Sequence, residues 1–234
     1  MVNKNLKALC VIPARGGSKR IPKKNIRPFL GKPIISYSIE AALECGLFDE
    51  VMVSTDNNNI AEISKKYGAK VPFMRSSKSA DDFASTVDVL VEVINQYLDL
   101  DKKFDFACCI YPTAPFVTTI KLKDSFNYFK KNQFDTVFPV TSFSYPIQRA
   151  LNRGLNGKIN MVWPSNLNKR SQDLKPAYHD AGQFYWFSPE IILDQKKLWT
   201  DNSGSIVYPE TEVQDIDTPE DWDIAELKYS LLNQ

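Results

Sequence analysis

Two groups of residues, one near each end of this 234-residue chain, could do chemistry together. The first is the stretch "VIPARGGSKRIPKKNIRPF", residues 11–29, which holds Arg15, Lys19, Arg20, Lys23, Lys24 and Arg27. Seven basic residues and no Asp or Glu lie between Ala14 and Ile39, in a chain whose net charge is only +1. A nucleic-acid binder is basic over a whole face, whereas this excess is confined to one loop-like segment and suits a small anion. Gly16 and Gly17 would let the backbone turn tightly and bring N–H groups to that anion, and Arg15 and the lysines would charge-pair with phosphate oxygens. A polyphosphate is the natural guest. The second group is in "VQDIDTPEDW", where Asp215 and Asp217 stand two apart at the end of an expected strand and so on one side of it. Two like charges on one face repel unless a cation sits between them. With one histidine and no cysteine cluster, that cation is expected to be an oxygen-ligated Mg²⁺. The plainer role for one of these carboxylates is to help cap the last helix.

Several classes are excluded or disfavoured. GxxxxGK[ST] is absent and no GxGxxG occurs, which argues against a P-loop NTPase and a dinucleotide dehydrogenase. Cysteines 10, 45, 108 and 109 show neither zinc spacing nor CxxC, and are expected as reduced core thiols. The apolar run near the N-terminus is shorter than the ~7–15 residues of a signal peptide, and nothing approaches a membrane span. A cytoplasmic protein is expected, with no membrane or nucleic-acid partner.

These groups need a scaffold. "LKALCVIP", "EVMVSTD", "KVPFM", "FDFACCIYP" and "DTVFPVTSF" read as strands, alternating with helices through "PIISYSIEAALECG", "NNIAEISKKYG", "STVDVLVEVINQYL" and about Ile120 to Lys131. That rhythm predicts an α/β fold, a mostly parallel sheet with helices on both faces, as a single domain over 1–234. Ligands of such sheets lie beyond the carboxyl ends of the strands, where the basic loop begins. The pattern breaks over 144–176, rich in Asn, Gly, Pro and Arg, where Ile159, Met161, Val162 and Trp163 still offer something to bury. An ordered hairpin arm packing on another subunit is expected there. "GQFYWFSPEIIL" and "IVYPETEVQDID" read as returning strands, and "TPEDWDIAELKYSLL" as a final helix capped by Thr218 with Pro219 at its first position.

The stretch "VIPARGGSKRIPKKNIRPFLGKPIISYSIEAAL", followed in order by "STDN", "VPFMR", "YPTAPF", "RSQDLKPAYHDAGQFYWF" and "VQDIDTPEDW", resembles the CMP-sugar-acid synthetases, the acylneuraminate cytidylyltransferase family. "SFSYPIQRAL" and "AYHDAGQFYWF" are most similar to its pseudaminic acid branch. The resemblance implies a Rossmann-like nucleotidyltransferase fold, CTP at the basic loop, an intersubunit arm and a homodimer. Carried over by position, Ala14, Arg15, Gly16, Gly17, Ser18, Lys19, Lys24 and Asn25 match the family's nucleotide loop. Arg75 matches its cytosine-side arginine, Pro112 and Thr113 fall in its second nucleotide motif, and Asp215 and Asp217 match its metal carboxylates. Arg15, Lys24, Asp215 and Asp217 would be the catalytic set.

The implied reaction is attack of a sugar-acid hydroxyl on the α-phosphorus of CTP, with pyrophosphate expelled. For the nine-carbon sugar acid, the resemblance and the chemistry of a carboxylate-bearing substrate point to Tyr111, Arg149, Arg170, Gln172, His179 and Gly182. Asp81 and Asp82 could also face the sugar or simply start the next helix. "IYPTAP" stands where sialic acid synthetases read "LQPTSP", so Tyr111 replaces a glutamine and Ala114 a serine, which points to a different or acylamino-substituted sugar. Sialic, legionaminic and Kdo synthetases share the nucleotide residues and are the alternatives. A non-catalytic nucleotide-binding domain is the alternative from another class.

Overall fold

The computed structural model describes residues 6–80 and 84–233, so Asp81 and Asp82 lie outside the described residues. In chain order the elements are β1 (Ala8–Pro13), a small hairpin of β2 (Pro28–Phe29) and β3 (Lys32–Pro33), α1 (Ile34–Glu44), β4 (Glu50–Ser54) and α2 (Asn58–Lys66). There follow α3 (Ser77–Ala80), α4 (Thr86–Asp99), β5 (Phe106–Ile110), α5 (Thr119–Asn132) and β6 (Thr136–Ser142). A second hairpin of β7 (Leu151–Arg153) and β8 (Ile159–Met161) precedes β9 (Tyr178–Asp180), β10 (Phe184–Phe187), α6 (Pro189–Gln195), β11 (Ser203–Val207) and α7 (Pro219–Leu232).

The main sheet runs β11, β6, β10, β5, β1, β4, with β9 also paired to β6. β1 is parallel to β4 and β5, and β11 to β6, while β10 and β9 run antiparallel to their neighbours. It is a mixed sheet dominated by parallel strands, as expected. Period-two alternation divides its side chains between two cores. Cys10, Ile12, Val53, Cys108 and Trp186 pack under Ile35 and Ile39 of α1, Ile60 of α2 and Phe126 of α5. Leu9, Val11, Cys109 and Phe187 pack under Leu90 and Val93 of α4 and Ile192 of α6. Cys108 and Cys109 therefore face opposite ways, and all four cysteines are buried and free.

Local chemistry explains the helix ends. Asn57, Ser85, Thr118 and Thr218 each cap the helix that follows through a side-chain oxygen, and Ser85 and Thr218 form reciprocal capping boxes with Asp88 and Asp221. α7 seats Trp222 against Phe29 of the β2–β3 hairpin, with Ile21 and Ile216 in the same small core. The cationic loop and the "DID" segment are thus packed together through apolar side chains.

Three sequence expectations change. "KVPFM" forms no strand, only a single bridge of Lys70 to Met52. "SPEIIL" is helical, because Ser188 and Pro189 start α6 where a strand was expected to continue. The last strand ends at Val207, and Asp215 and Asp217 follow in irregular backbone beyond a short turn at Glu210–Glu212.

Candidate active site

Three parallel strands deliver the site from their carboxyl ends. β1 runs into the loop from Ala14 to Asn25, β4 ends at Ser54, which anchors Arg75, and β5 runs into Tyr111, Pro112 and Thr113. These segments, with Asp215 and Asp217, line one cleft of about 420 Å³.

The loop is held from within the fold. Buried Asn25 donates Nδ2 to the Arg15 carbonyl at 2.9 Å, so its amide shapes the loop. Gly16 donates its N–H to Asp56 Oδ1 at 2.8 Å, and a Cβ there would lie 2.9 Å from Asn57 Nδ2. Its glycine is required by close packing on the N-cap of α2, a different reason from the anion contact expected of it. Ala14 is fully buried and donates its N–H to Ser54, so its side chain is core; neither it nor Gly16 or Gly17 lines the cleft. Ser18, Lys19, Arg20 and Lys24 do.

Cations and carboxylates meet directly. Arg20 donates to Asp217 Oδ1 at 2.8 Å, while Lys24 lies 3.4 Å from the same oxygen and donates to the Ile216 carbonyl at 2.7 Å. Asp215 packs against Gly182, where φ is +61° and a Cβ would come within 3.3 Å of the carboxylate carbon. Burial pushes the Asp215 pKa up and the Asp217 charge adds to it, with Lys24 opposing. That is the electrostatic situation a divalent cation relieves. No group of three or more His, Cys, Asp and Glu gathers as a metal cage among the described residues. Two carboxylates with the remaining positions left to substrate oxygens is the manner in which Mg²⁺ is commonly held, so the residues fit that ion.

Also lining the cleft, buried Arg75 donates Nε to Ser54 Oγ at 3.0 Å and Nη2 to the Ser54 carbonyl at 2.6 Å. Burial lowers its pKa, though a guanidinium stays charged. Tyr111 has its hydroxyl 3.2 Å from Thr86 Oγ1 and its ring beside Tyr185, whose hydroxyl donates to Asp180 Oδ2. Burial raises the Tyr111 pKa, so it works as a neutral hydrogen-bonding group.

The family model for cytidylyltransferases matches residues 9–198. The chain belongs to the cytidylyltransferase family. A pseudaminic acid cytidylyltransferase of Campylobacter jejuni subsp. jejuni serotype O:2 is 45% identical over 226 residues, 97% of each chain. A CMP-N,N'-diacetyllegionaminic acid synthase of Legionella pneumophila is 32% identical over 98% of each chain. A solved structure of CMP:2-keto-3-deoxy-manno-octonic acid synthetase complexed with CTP shares the fold, with TM-score 0.69 at 19% identity, covering 97% of this chain and 99% of that one.

Within this cytidylyltransferase the sequence-expected residues separate into three groups. Arg15, Ser18, Lys19, Lys24, Asn25, Arg75, Tyr111, Pro112, Thr113, Asp215 and Asp217 converge on the cleft. His179 lines a second hollow of about 410 Å³ that shares Asp215 and Asp217 with the cleft, its Nδ1 2.9 Å from the Asp180 carbonyl. Arg149, Arg170 and Gln172 line neither. Arg149 sits in a hollow of the arm, and Arg170 is exposed and paired with Asp173 at 2.9 Å. Sequence reasoning missed Arg20, which was visible in "SKRIPKKN" but given no role. It also missed Ser85 and Thr86, which line the cleft at the capped start of α4.

Proposed function

We propose that the chain joins CTP to a nonulosonic acid, with pseudaminic acid the favoured acceptor, to give the CMP-sugar and pyrophosphate. The observation that carries this reading is the single cleft in which the cationic loop faces the Asp215–Asp217 pair, with Arg20 and Asp217 in contact across it at 2.8 Å. Arg15, Lys19 and Lys24 would hold phosphate oxygens, and Arg75 with Pro112 and Thr113 the nucleoside side. Asp215 and Asp217 would hold Mg²⁺, which when bound neutralises charge on the phosphates and lowers the pKa of a coordinated hydroxyl. The acceptor hydroxyl would give up its proton to solvent as its oxygen forms a new bond to the α-phosphorus and the bond from that phosphorus to pyrophosphate breaks. The cationic loop then stabilises the leaving group, so catalysis is mostly positioning and electrostatics.

The acceptor would lie toward Tyr111, His179 and Gly182. Arg149, Arg170 and Gln172 would reach it from the arm of a partner subunit in a homodimer, since within one chain they line neither hollow. Pseudaminic acid is favoured by the 45% identical relative that bears its name, and legionaminic acid is the second reading, supported by the 32% identical synthase. The four free cysteines suit a reducing, cytoplasmic setting, and no described helix is long and apolar enough to cross a membrane.

The test is pyrophosphate release with CTP, Mg²⁺ and a panel of pseudaminic, legionaminic, N-acetylneuraminic and Kdo acids. Pseudaminic acid is expected to give the highest kcat/KM. Release with none of the acids would sink the enzyme reading, and a faster rate with another acid would transfer the acceptor assignment to it.

A further inference from the structure

The segment from Glu210 to Asp217 pairs with no strand, yet the carbonyls of Glu210, Glu212 and Val213 each accept from side chains of other elements. Lys121 of α5 donates Nζ to the Glu212 carbonyl at 3.1 Å and the Phe116 carbonyl at 3.2 Å, with the Glu212 carboxylate also 3.1 Å away and the Tyr208 ring 4.6 Å from the ammonium. Gln183, fully buried, donates to the same Glu212 carbonyl at 3.0 Å. Lys228 of α7 donates to the carbonyls of Glu210 at 2.9 Å and Val213 at 3.0 Å and to Gln214 Oε1 at 3.0 Å. The Gln214 amide in turn donates to the Asp215 carbonyl at 3.1 Å, and the Asp217 N–H is received by Asp221 of the α7 capping box at 3.1 Å.

Holding an ammonium against neutral carbonyls is unfavourable unless every N–H finds an acceptor, and Lys228 donates to three acceptors, none of them a carboxylate. Burial lowers the pKa of both lysines, with Glu212 opposing at Lys121 and Glu210 at Lys228. Two ammonium groups, Lys121 with the Glu212 carboxylate beside it and Lys228 with neutral acceptors, converge from different helices on five residues, and the chain runs directly on to Asp215 and Asp217. We infer that Lys121 and Lys228 are positioning residues for the Asp215–Asp217 pair, fixing through the Glu210–Gln214 backbone where those carboxylates stand. The inference rests on the reading of Asp215 and Asp217 as the groups that hold a divalent cation.

Lys121→Met and Lys228→Met keep much of each side chain's apolar length and remove its donors. With CTP present, Mn²⁺ is titrated by electron paramagnetic resonance, and CTP binding without divalent ion is measured by calorimetry. Outer partners of metal ligands typically govern affinity, so Mn²⁺ binding is expected to weaken about tenfold or more, with metal-free CTP binding nearly unchanged. Asp217→Asn is the reference. Weakened Mn²⁺ binding in Asp217→Asn but parental binding in both lysine variants overturns the positioning role alone, leaving the lysines as ties between helices. Parental binding in Asp217→Asn overturns the carboxylate reading and the inference with it. Should Lys228→Met fail to fold, Lys121→Met carries the same test, because it acts on a different carbonyl.

Discussion

The cleft and the arm are built on opposite terms. In the cleft, charged residues from both ends of the chain are tied down within one chain: buried Asn25 holds the Arg15 carbonyl, buried Ser54 holds Arg75, and at the solvent-exposed side Arg20 and Lys24 meet Asp217. In the arm, β7 and β8 close a hairpin around Gly157, at φ +79°, yet Leu151, Leu155, Ile159, Trp163 and Leu167 are exposed. The arm is locally ordered by turn chemistry and backbone pairing, but its apolar side chains have no core of their own. The lesson is that one chain assembles the cleft by itself, whereas Arg149, Arg170 and Gln172 of the arm line neither hollow within the chain, and the acceptor role proposed for them would need another surface to bring them into place.

The largest effect that could break this contrast is at the cleft. Asp217→Asn is expected to retain the parental circular dichroism spectrum and reduce pyrophosphate release on the order of 10³-fold, the scale of losing one preorganised transition-state group. Substantial turnover in that variant would remove the carboxylate pair from the chemistry. Next comes the arm. Trp163→Asp puts a charge into its apolar face and is expected to shift the light-scattering mass to that of a monomer. Sugar-acid KM should rise about tenfold or more, as for an interface anchor, with CTP affinity little changed. An unchanged mass and KM would show that the arm works within its own chain.

The smallest effect calibrates the contrast from a third region, the far end of the sheet. Glu50 is buried at the start of β4 and accepts from the Tyr97 hydroxyl at 2.5 Å, Lys70 at 3.1 Å and Lys102 at 3.3 Å. Burial alone would raise its pKa, but these donors together hold it below the ordinary value. The unfolded chain then binds this proton more readily than the folded one. The stabilisation is therefore complete above the unfolded value of about 4.3 and fades as pH falls through the lower folded value. Glu50→Gln is expected to lose about 1–3 kcal/mol at pH 7, with the gap to the parent narrowing below about pH 4, and to leave turnover per folded molecule unchanged. A gap constant with pH would show that the charge at Glu50 is immaterial.

Much of the fold was legible because its signals are local. Gly46, at φ +65°, sits just past the end of α1, Thr218 and Pro219 start α7, and the split of Cys108 and Cys109 to opposite faces follows from strand alternation. Where the sequence reading failed, two local signals competed or a neighbour decided. "SPEIIL" carries both an apolar run and a Ser-Pro helix start, and the helix start prevailed. "KVPFM" has strand composition but gains only one bridge beside β4, at Lys70, and the chain then turns to carry Arg75 back to Ser54.

The sequence by itself determined the chemical inventory and the scaffold. A cationic, glycine-bearing loop follows the first strand, a carboxylate pair stands before the last helix, and alternating elements place the loop at the end of a largely parallel sheet. Only the tertiary structure decided which of these meet. Arg20 joins Asp217, Gly16 serves packing against Asn57, Asn25 shapes the loop, and Lys121, Gln183 and Lys228 frame the segment that delivers Asp215. The physical reason is range. Caps, turns and alternation act over a few residues, whereas a buried ammonium on a distant carbonyl is defined by three-dimensional proximity, which no local pattern encodes.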